Sequence, residues 1–259
     1  MNYVKKVWSD FRGISRVCGL ATALRWLGCI ALTVPSMIRE RGLSRADLLM
    51  GEGPFTVRYK GITARLCGVR VFGGIREIWV RDVYGHGGLL ELPENALVVD
   101  LGSNIGVFTT LALATNPTAR VVAVEPHRDF PKTMAETARL NGFADRIEEL
   151  RAFVGDFTHL QQSDSLTEGY AQAPQVPEAD FLARFGIERI DFLKCDIEGS
   201  EFAFLHPDSR LLDLSDRVAI ELHGWGGDSR AFLGKLEEKG FRIVHEDWNG
   251  PDCIALAAR

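Results

Sequence analysis

The chain has few cysteines and no pairing pattern among them. Cys18, Cys29, Cys67, Cys195 and Cys253 are odd in number and scattered, with no Cys-x-x-Cys pair. That argues against a disulfide framework and a cysteine zinc site, and fits a reducing cytoplasm. Most of the chain also lacks basic charge. Residues 1–45 hold eight basic residues (Lys5, Lys6, Arg12, Arg16, Arg25, Arg39, Arg41 and Arg45) against Asp10 and Glu40, a charge of +6; with the whole chain at −5, the remainder carries −11. So acidic a main body has no footprint for nucleic acid. No internal repeat is visible. The longest apolar run, Val17 to Leu32, is short for a membrane span and carries Arg25 near its middle.

The first 50 residues read as a helical extension, and 51–259 as the main domain. Val4, Val7, Phe11, Ile14 and Val17 recur every three or four residues and share one helical face. Pro35 is expected to break or start a helix, and Ser44 to cap a short one. The +6 charge and apolar faces fit a helix packed on the domain or on a second copy of the chain. They also fit peripheral contact with an anionic membrane at its inner face. Phe55, Val57 and Tyr59, then Ile62, Ala64 and Leu66, alternate around Lys60-Gly61, which predicts a β-hairpin. Ile75, Ile78, Trp79 and Val83 return to helical spacing, and Gly85-His86-Gly87-Gly88 is a loop. That loop and Tyr84 are either a plain connector or within reach of a ligand.

The stretch that organises the rest is Leu97-Val98-Val99-Asp100-Leu101-Gly102-Ser103-Asn104-Ile105-Gly106. An apolar run ends in an acid, gives way to small residues, and continues into helical spacing. This predicts a buried parallel strand, a tight turn and a helix start. Glycines there let a backbone approach a ligand closely. A second strand, Val121 to Val124, ends in Glu125, where an acid can accept hydrogen bonds from both ribose hydroxyls of an adenosine. A dinucleotide fingerprint would need glycines at 104 and 107, which are Asn104 and Val107. The pattern is instead Asp-x-Gly-x-Asn-x-Gly, similar to motif I of class I methyltransferases.

From 97 onward strands and helices alternate, predicting a doubly wound, mostly parallel α/β sheet. A helix over 131–140 closes at Gly142, strand three spans 147–152, and a polar loop covers 156–177. A helix then ends at Gly186. Strand four runs from Ile190 to Cys195 and strand five from Val218 to His223. A final antiparallel pair covers 241–247 and 253–258.

The segment Ile190-Asp191-Phe192-Leu193-Lys194-Cys195-Asp196-Ile197-Glu198-Gly199-Ser200-Glu201, with Asp100–Gly106, Glu125-Pro126 and Glu221-Leu222-His223, resembles the FkbM-type methyltransferases. The likeness covers roughly 97 to 223. It implies a Rossmann-like class I fold and an S-adenosylmethionine-dependent O-methyltransferase acting on a hydroxyl of a sugar, glycan or natural product. The cofactor residues expected are Asp100, Gly102, Ser103, Asn104, Gly106, Glu125, Pro126, Phe153 and Asp196. A dinucleotide oxidoreductase and a non-catalytic protein keeping the fold are the competing readings. The first lacks a Tyr-x-x-x-Lys pair.

Ligands of open α/β sheets lie beyond the carboxyl ends of the strands, where Asp100, Glu125, Asp196 and His223 are expected. A hydroxyl acceptor must lose its proton. His223 is the first choice of base, since its ordinary pKa is near neutrality; the alternative is a structural histidine. Asp196 is a base, a ligand for the sulfonium side, or an N-cap for a helix carrying Glu198 and Glu201 in its first turn. Lys194 is expected to pair with Asp196. Asp196, Glu221 and His223 suit a divalent cation by residue type, but their spacing does not support one, so no metal is assigned.

Overall fold

Strand and helix do alternate from Leu97 onward in the computed structural model, which describes residues 3–40, 42–155, 169–170, 172–206 and 209–259. Strands β3 (Leu97–Leu101), β4 (Arg120–Val124), β5 (Ile147–Leu150), β8 (Phe192–Cys195) and β9 (Arg217–Leu222) are parallel. β11 (Asp252–Ala258) runs antiparallel to β9, and β10 (Arg242–Asn249) antiparallel to β11. The seven lie in the order β10-β11-β9-β8-β3-β4-β5. β3, β4 and β8 are buried nearly throughout because helices cover both faces, which explains their unbroken apolar runs. The chain leaves β3 toward one edge and returns at β8 toward the other. The switch point between β3 and β8 is therefore where a ligand crevice opens.

Helix α5 (Val107–Thr115) follows the motif turn, and α6 (Phe130–Asn141) ends at Gly142, whose φ of 70° gives the left-handed cap. Helix α7 (Glu178–Phe185) stops the same way at Gly186. Helix α8 (Ser229–Glu238) was not anticipated. Its signal is local: the Asp228 side chain accepts the amides of Arg230 and Ala231 at 2.9 and 3.1 Å, a cap just before the helix. A two-residue parallel pair, β6 (Phe153–Val154) with β7 (Gln175–Val176), was also missed. The predicted polar loop lies partly outside the described residues, at 156–168 and 171.

The hairpin is β1 (Phe55–Tyr59) with β2 (Ile62–Leu66). Lys60 and Gly61 both have positive φ, the primed two-residue turn that matches strand twist. The extension forms α1 (Tyr3–Cys18), α2 (Leu20–Glu40) and α3 (Ser44–Leu49). Two details differ from expectation. Pro35 lies inside α2 rather than at its end; it and Ala31, whose carbonyl loses a donor, are both exposed, so water can serve that carbonyl. The residue preceding α3 is Leu43, and no side chain caps the helix.

One run of buried residues, including Ile14, Trp26, Val57, Trp79, Phe108 and Leu256, joins the extension to the sheet. Polar contacts reinforce it. The chain is α-helical over Val71–Gly74 (α4) and π-helical over Ile75–Val80. From the π-helical stretch, Arg76 reaches Asp47 at 2.6 Å and Asp10 at 3.1 Å, and Arg81, next in sequence, reaches Asp10 at 2.7 Å. Trp26 Nε1 donates to Asp47 Oδ1 at 3.0 Å. The outer side of α1 and α2 stays uncovered: Val4, Trp8, Leu20, Leu24, Leu32, Val34 and Ile38 are exposed.

Candidate active site

Parallel register builds the site. Asp100 of β3 pairs with Lys194 of β8, so both side chains point to the same face. Lys194 Nζ donates to the Gly102 carbonyl at 2.6 Å and lies 3.4 Å from Asp100 Oδ1 and 3.7 Å from Asp196 Oδ2. Burial works against the ammonium charge. Asp100 and then Asp196 outweigh it, so the Lys194 pKa lies above the ordinary value. Asp100 is fully buried and accepts the Thr109 hydroxyl at 2.6 Å. It therefore sits beneath the motif turn and lines neither cavity described below. Asp100, expected among the cofactor residues, is held by Lys194 and Thr109 and faces neither cavity.

Above this pair the turn folds tightly. Gly102 and Ser103 amides both donate to the Val124 carbonyl at 3.0 Å. Gly102 has φ +73°, and a Cβ there would stand 1.8 Å from the Asp196 carbonyl oxygen. At Gly106, φ +81°, a Cβ would meet Met134 at 2.5 Å. Both glycines are required by approach as well as by φ. Gly106 leads into α5 and lines neither cavity.

Glu125, at the end of β4, is buried. Its carboxylate accepts the Asn104 and His127 amides, each at 2.8 Å. Burial outweighs these donors and pushes its pKa up to about 7. Beside it an open cavity is lined by Gly102, Glu125, Pro126, Phe153, Tyr170 and Asp196, among others. Ser103 and Asn104 instead line an adjoining cleft with Glu77, Tyr84, Lys194 and Glu221. Gly102, Tyr170 and Asp196 belong to both spaces, so the two meet at Asp196. The Tyr170 ring lies 5.0 Å from His127 and 6.4 Å from Phe153, centroid to centroid.

His223 is placed differently from the expected base. It lines neither cavity. Its Nδ1 lies 3.1 Å from Glu201 Oε1 and its Nε2 3.5 Å from Glu198 Oε2. Burial favours the neutral ring, but the hydrogen bond and charge of Glu201 outweigh it and push the pKa up to about 9. Glu201 is fully buried, and its Oε1 also accepts the Ile197 and Gly199 amides. It begins a short 3₁₀ segment, Glu201–Leu205. Asp196 thus caps no α-helix. Residues Ile197 to Ser200 form a turn, and Glu198 has φ +53°. This turn brings one donor atom each from Asp196, Glu198 and His223 within 4.8 Å of one another, a set able to hold a divalent cation. Glu198 takes the place that residue type alone gave to Glu221.

Glu221 faces the cleft instead. Burial first, then the charges of Asp196 and Glu77, push its pKa up to about 8. Glu77, Tyr170, His127 and Phe130 also line the cleft; none was singled out from the sequence, because only packing brings them to the end of β3.

A family model described as Methyltransferase FkbM domain matches residues 100–243. Methyltransferase 1 of Beauveria bassiana is 27% identical over 212 residues, covering 68% of this chain and 84% of that protein. Methyltransferase sdnD of Sordaria araneosa is 25% identical over 227 residues, covering 70% and 86%. The AMB antimetabolite synthetase AmbE of Pseudomonas aeruginosa is 30% identical over 224 residues, covering 65% of this chain and 10% of that protein.

Proposed function

Because the chain belongs to the FkbM methyltransferase domain family, we propose that it transfers a methyl group from S-adenosylmethionine to a hydroxyl of a sugar, glycan or natural product. The competing reading of a dinucleotide oxidoreductase gives way to that membership. The observation that carries the proposal is the meeting of the two cavities at Asp196.

The residues present fit the cofactor. Glu125 spends one lone pair of each oxygen on backbone amides and keeps others for ribose hydroxyls. Phe153 and Val154 offer an apolar wall. The Ser103 hydroxyl is buried without a hydrogen-bond partner, beside the cleft. S-adenosylmethionine, when bound, supplies a methyl group on a positively charged sulfur. The chain's own task is to align the acceptor and take its proton. Asp196 and Glu221 face the cleft and are the groups that do so; His223 is turned toward carboxylates. Glu77, Asp196 and Glu221 line the cleft, beside Arg70 and Lys194, and offer hydrogen-bonding partners to hydroxyls. The −11 charge of the chain beyond residue 45 disfavours nucleic acid as the acceptor. The likeness to an antimetabolite synthetase supports a natural product.

Calorimetry with S-adenosylmethionine and with NAD tests the reading. Binding of the first alone is expected; binding of NAD alone overturns it. In an active preparation, Glu221→Gln should lower kcat about 10²–10⁴-fold while leaving cofactor affinity nearly unchanged.

For residues 1–45 the proposal is contact with an anionic membrane surface at the cytoplasmic face. The exposed apolar residues of α2 and the +6 charge of residues 1–45 support it.

A further inference from the structure

We propose that Asp196, Glu198 and His223 form a binding site for a first-row divalent cation. Two atoms bonded to one ion at about 2.1 Å stand roughly 3–4.2 Å apart. His223 Nε2 and Glu198 Oε2 are 3.5 Å apart, and the whole donor set lies within 4.8 Å. Small side-chain movements therefore close it around an ion.

The surroundings of His223 point the same way. A metal-binding imidazole usually donates its second ring N–H to a carboxylate, which fixes the tautomer and the ring plane. Here Glu201 Oε1 lies 3.1 Å from Nδ1. This leaves Nε2 directed at the other two carboxylates. Glu201 itself supplies an independent observation. It is wholly buried, and its Oε2 has no hydrogen-bond partner among the described residues. A buried carboxylate lacking full hydrogen bonding needs positive charge nearby. The protonated imidazole 3.1 Å away provides it in the absence of metal, and a cation that replaces the Nε2 proton provides it when bound. Lys194 does not fill this role, since it leans toward the Gly102 carbonyl and Asp100 and touches Asp196 only at 3.7 Å.

The donor chemistry selects the ion class. Two carboxylates suit manganese or magnesium, and the imidazole shifts preference toward manganese, iron, cobalt or zinc over calcium. Asp196 borders both cavities and Glu198 borders the one beside Glu125, so the ion would sit where the two spaces meet. Resting on the methyl-transfer reading, its role there is to lower the pKa of a bound hydroxyl, leaving Glu221 to receive the proton.

The test uses the full chain, stripped with EDTA, desalted and titrated with Mn²⁺ while free Mn²⁺ is followed by electron paramagnetic resonance. One equivalent should bind. His223→Ala and Glu198→Gln should each weaken binding at least tenfold, and Glu201→Gln by about 10–100-fold. Circular dichroism checks the fold. If His223→Ala does not fold, Glu198→Gln alters an exposed side chain and still decides the matter. Absence of stoichiometric binding overturns the site, as does binding indifferent to Glu198→Gln. Calorimetry with S-adenosylmethionine on the same preparation separates the two proposals. Mn²⁺ binding without cofactor binding leaves the site and removes the transfer reading; the reverse removes the site alone.

Discussion

Lys194 and Asp100 stand side by side on adjacent parallel strands, Nζ 3.4 Å from Oδ1, with side chains 4% and 0% exposed. The pair lies under the motif turn and ties it to β8 through the Gly102 carbonyl. In this fold the motif acid therefore shapes the ligand-binding loop from below.

Removing the ammonium should be costly. Lys194→Met leaves Asp100 buried without its counter-charge, a loss of about 3–5 kcal/mol. Urea unfolding measures it. The double variant Lys194→Met/Asp100→Asn should recover part of the loss, because no lone charge remains. A single variant within 1 kcal/mol of wild type would show that the pair does not hold the turn.

Glu125 should make stability depend on pH. Its folded pKa of about 7 lies above the ordinary 4.5, so the folded state binds the proton more tightly. Its contribution is fully present below pH 4.5 and is lost as pH rises through 7, amounting to about 3 kcal/mol for the cofactor-free chain. Thermal unfolding at a series of pH values should show this decline in wild type. In Glu125→Gln the slope between pH 4.5 and 7 should flatten, whatever the variant's absolute stability. An unchanged slope would assign the decline to other groups.

Two glycines with nearly the same backbone conformation provide a matched comparison. Gly102 and Gly142 have φ of +73° and +70°, but only at Gly102 would a Cβ collide, at 1.8 Å from a backbone oxygen; at Gly142 nothing lies within 4 Å. Gly142→Ala should cost about 1–3 kcal/mol from left-handed strain alone. Gly102→Ala should cost more and weaken S-adenosylmethionine binding at least tenfold, because Asp196 must shift. Equal effects on stability and binding would mean that the close approach is unimportant.

The extension gives a prediction about partners. Leu24 and Leu32 are 55% and 79% exposed on α2. Wild type should co-sediment with anionic vesicles and be released at high salt, since the basic side chains act through screened charge. Leu24→Glu with Leu32→Glu should abolish that binding without changing the fold. Equal binding to neutral and anionic vesicles, or none, would overturn membrane contact. A concentration-dependent dimer lost in the same variant would assign this face to a second copy of the chain.

The sequence by itself determined most of the elements, though not α8 or the β6–β7 pair, and the strand ends at which the crevice opens. Apolar runs at β3, β4 and β8, glycines at 102, 106, 142 and 186, and acids at strand ends are local signals, set by the period of the backbone and by the few residues tolerating positive φ. They were legible without knowing what lies next to what. Pairing was decided only by the tertiary structure. Register placed Asp100 against Lys194, 94 residues away, and so withdrew it from the cavities. The turn after β8 placed buried Glu201 beside His223, 22 residues on, and anchored the expected base outside both cavities. Glu77 joined Glu221 in one cleft from opposite ends of the chain. A side chain's chemistry depends on burial and neighbouring charge, and those are properties of the packed molecule, which no local period encodes.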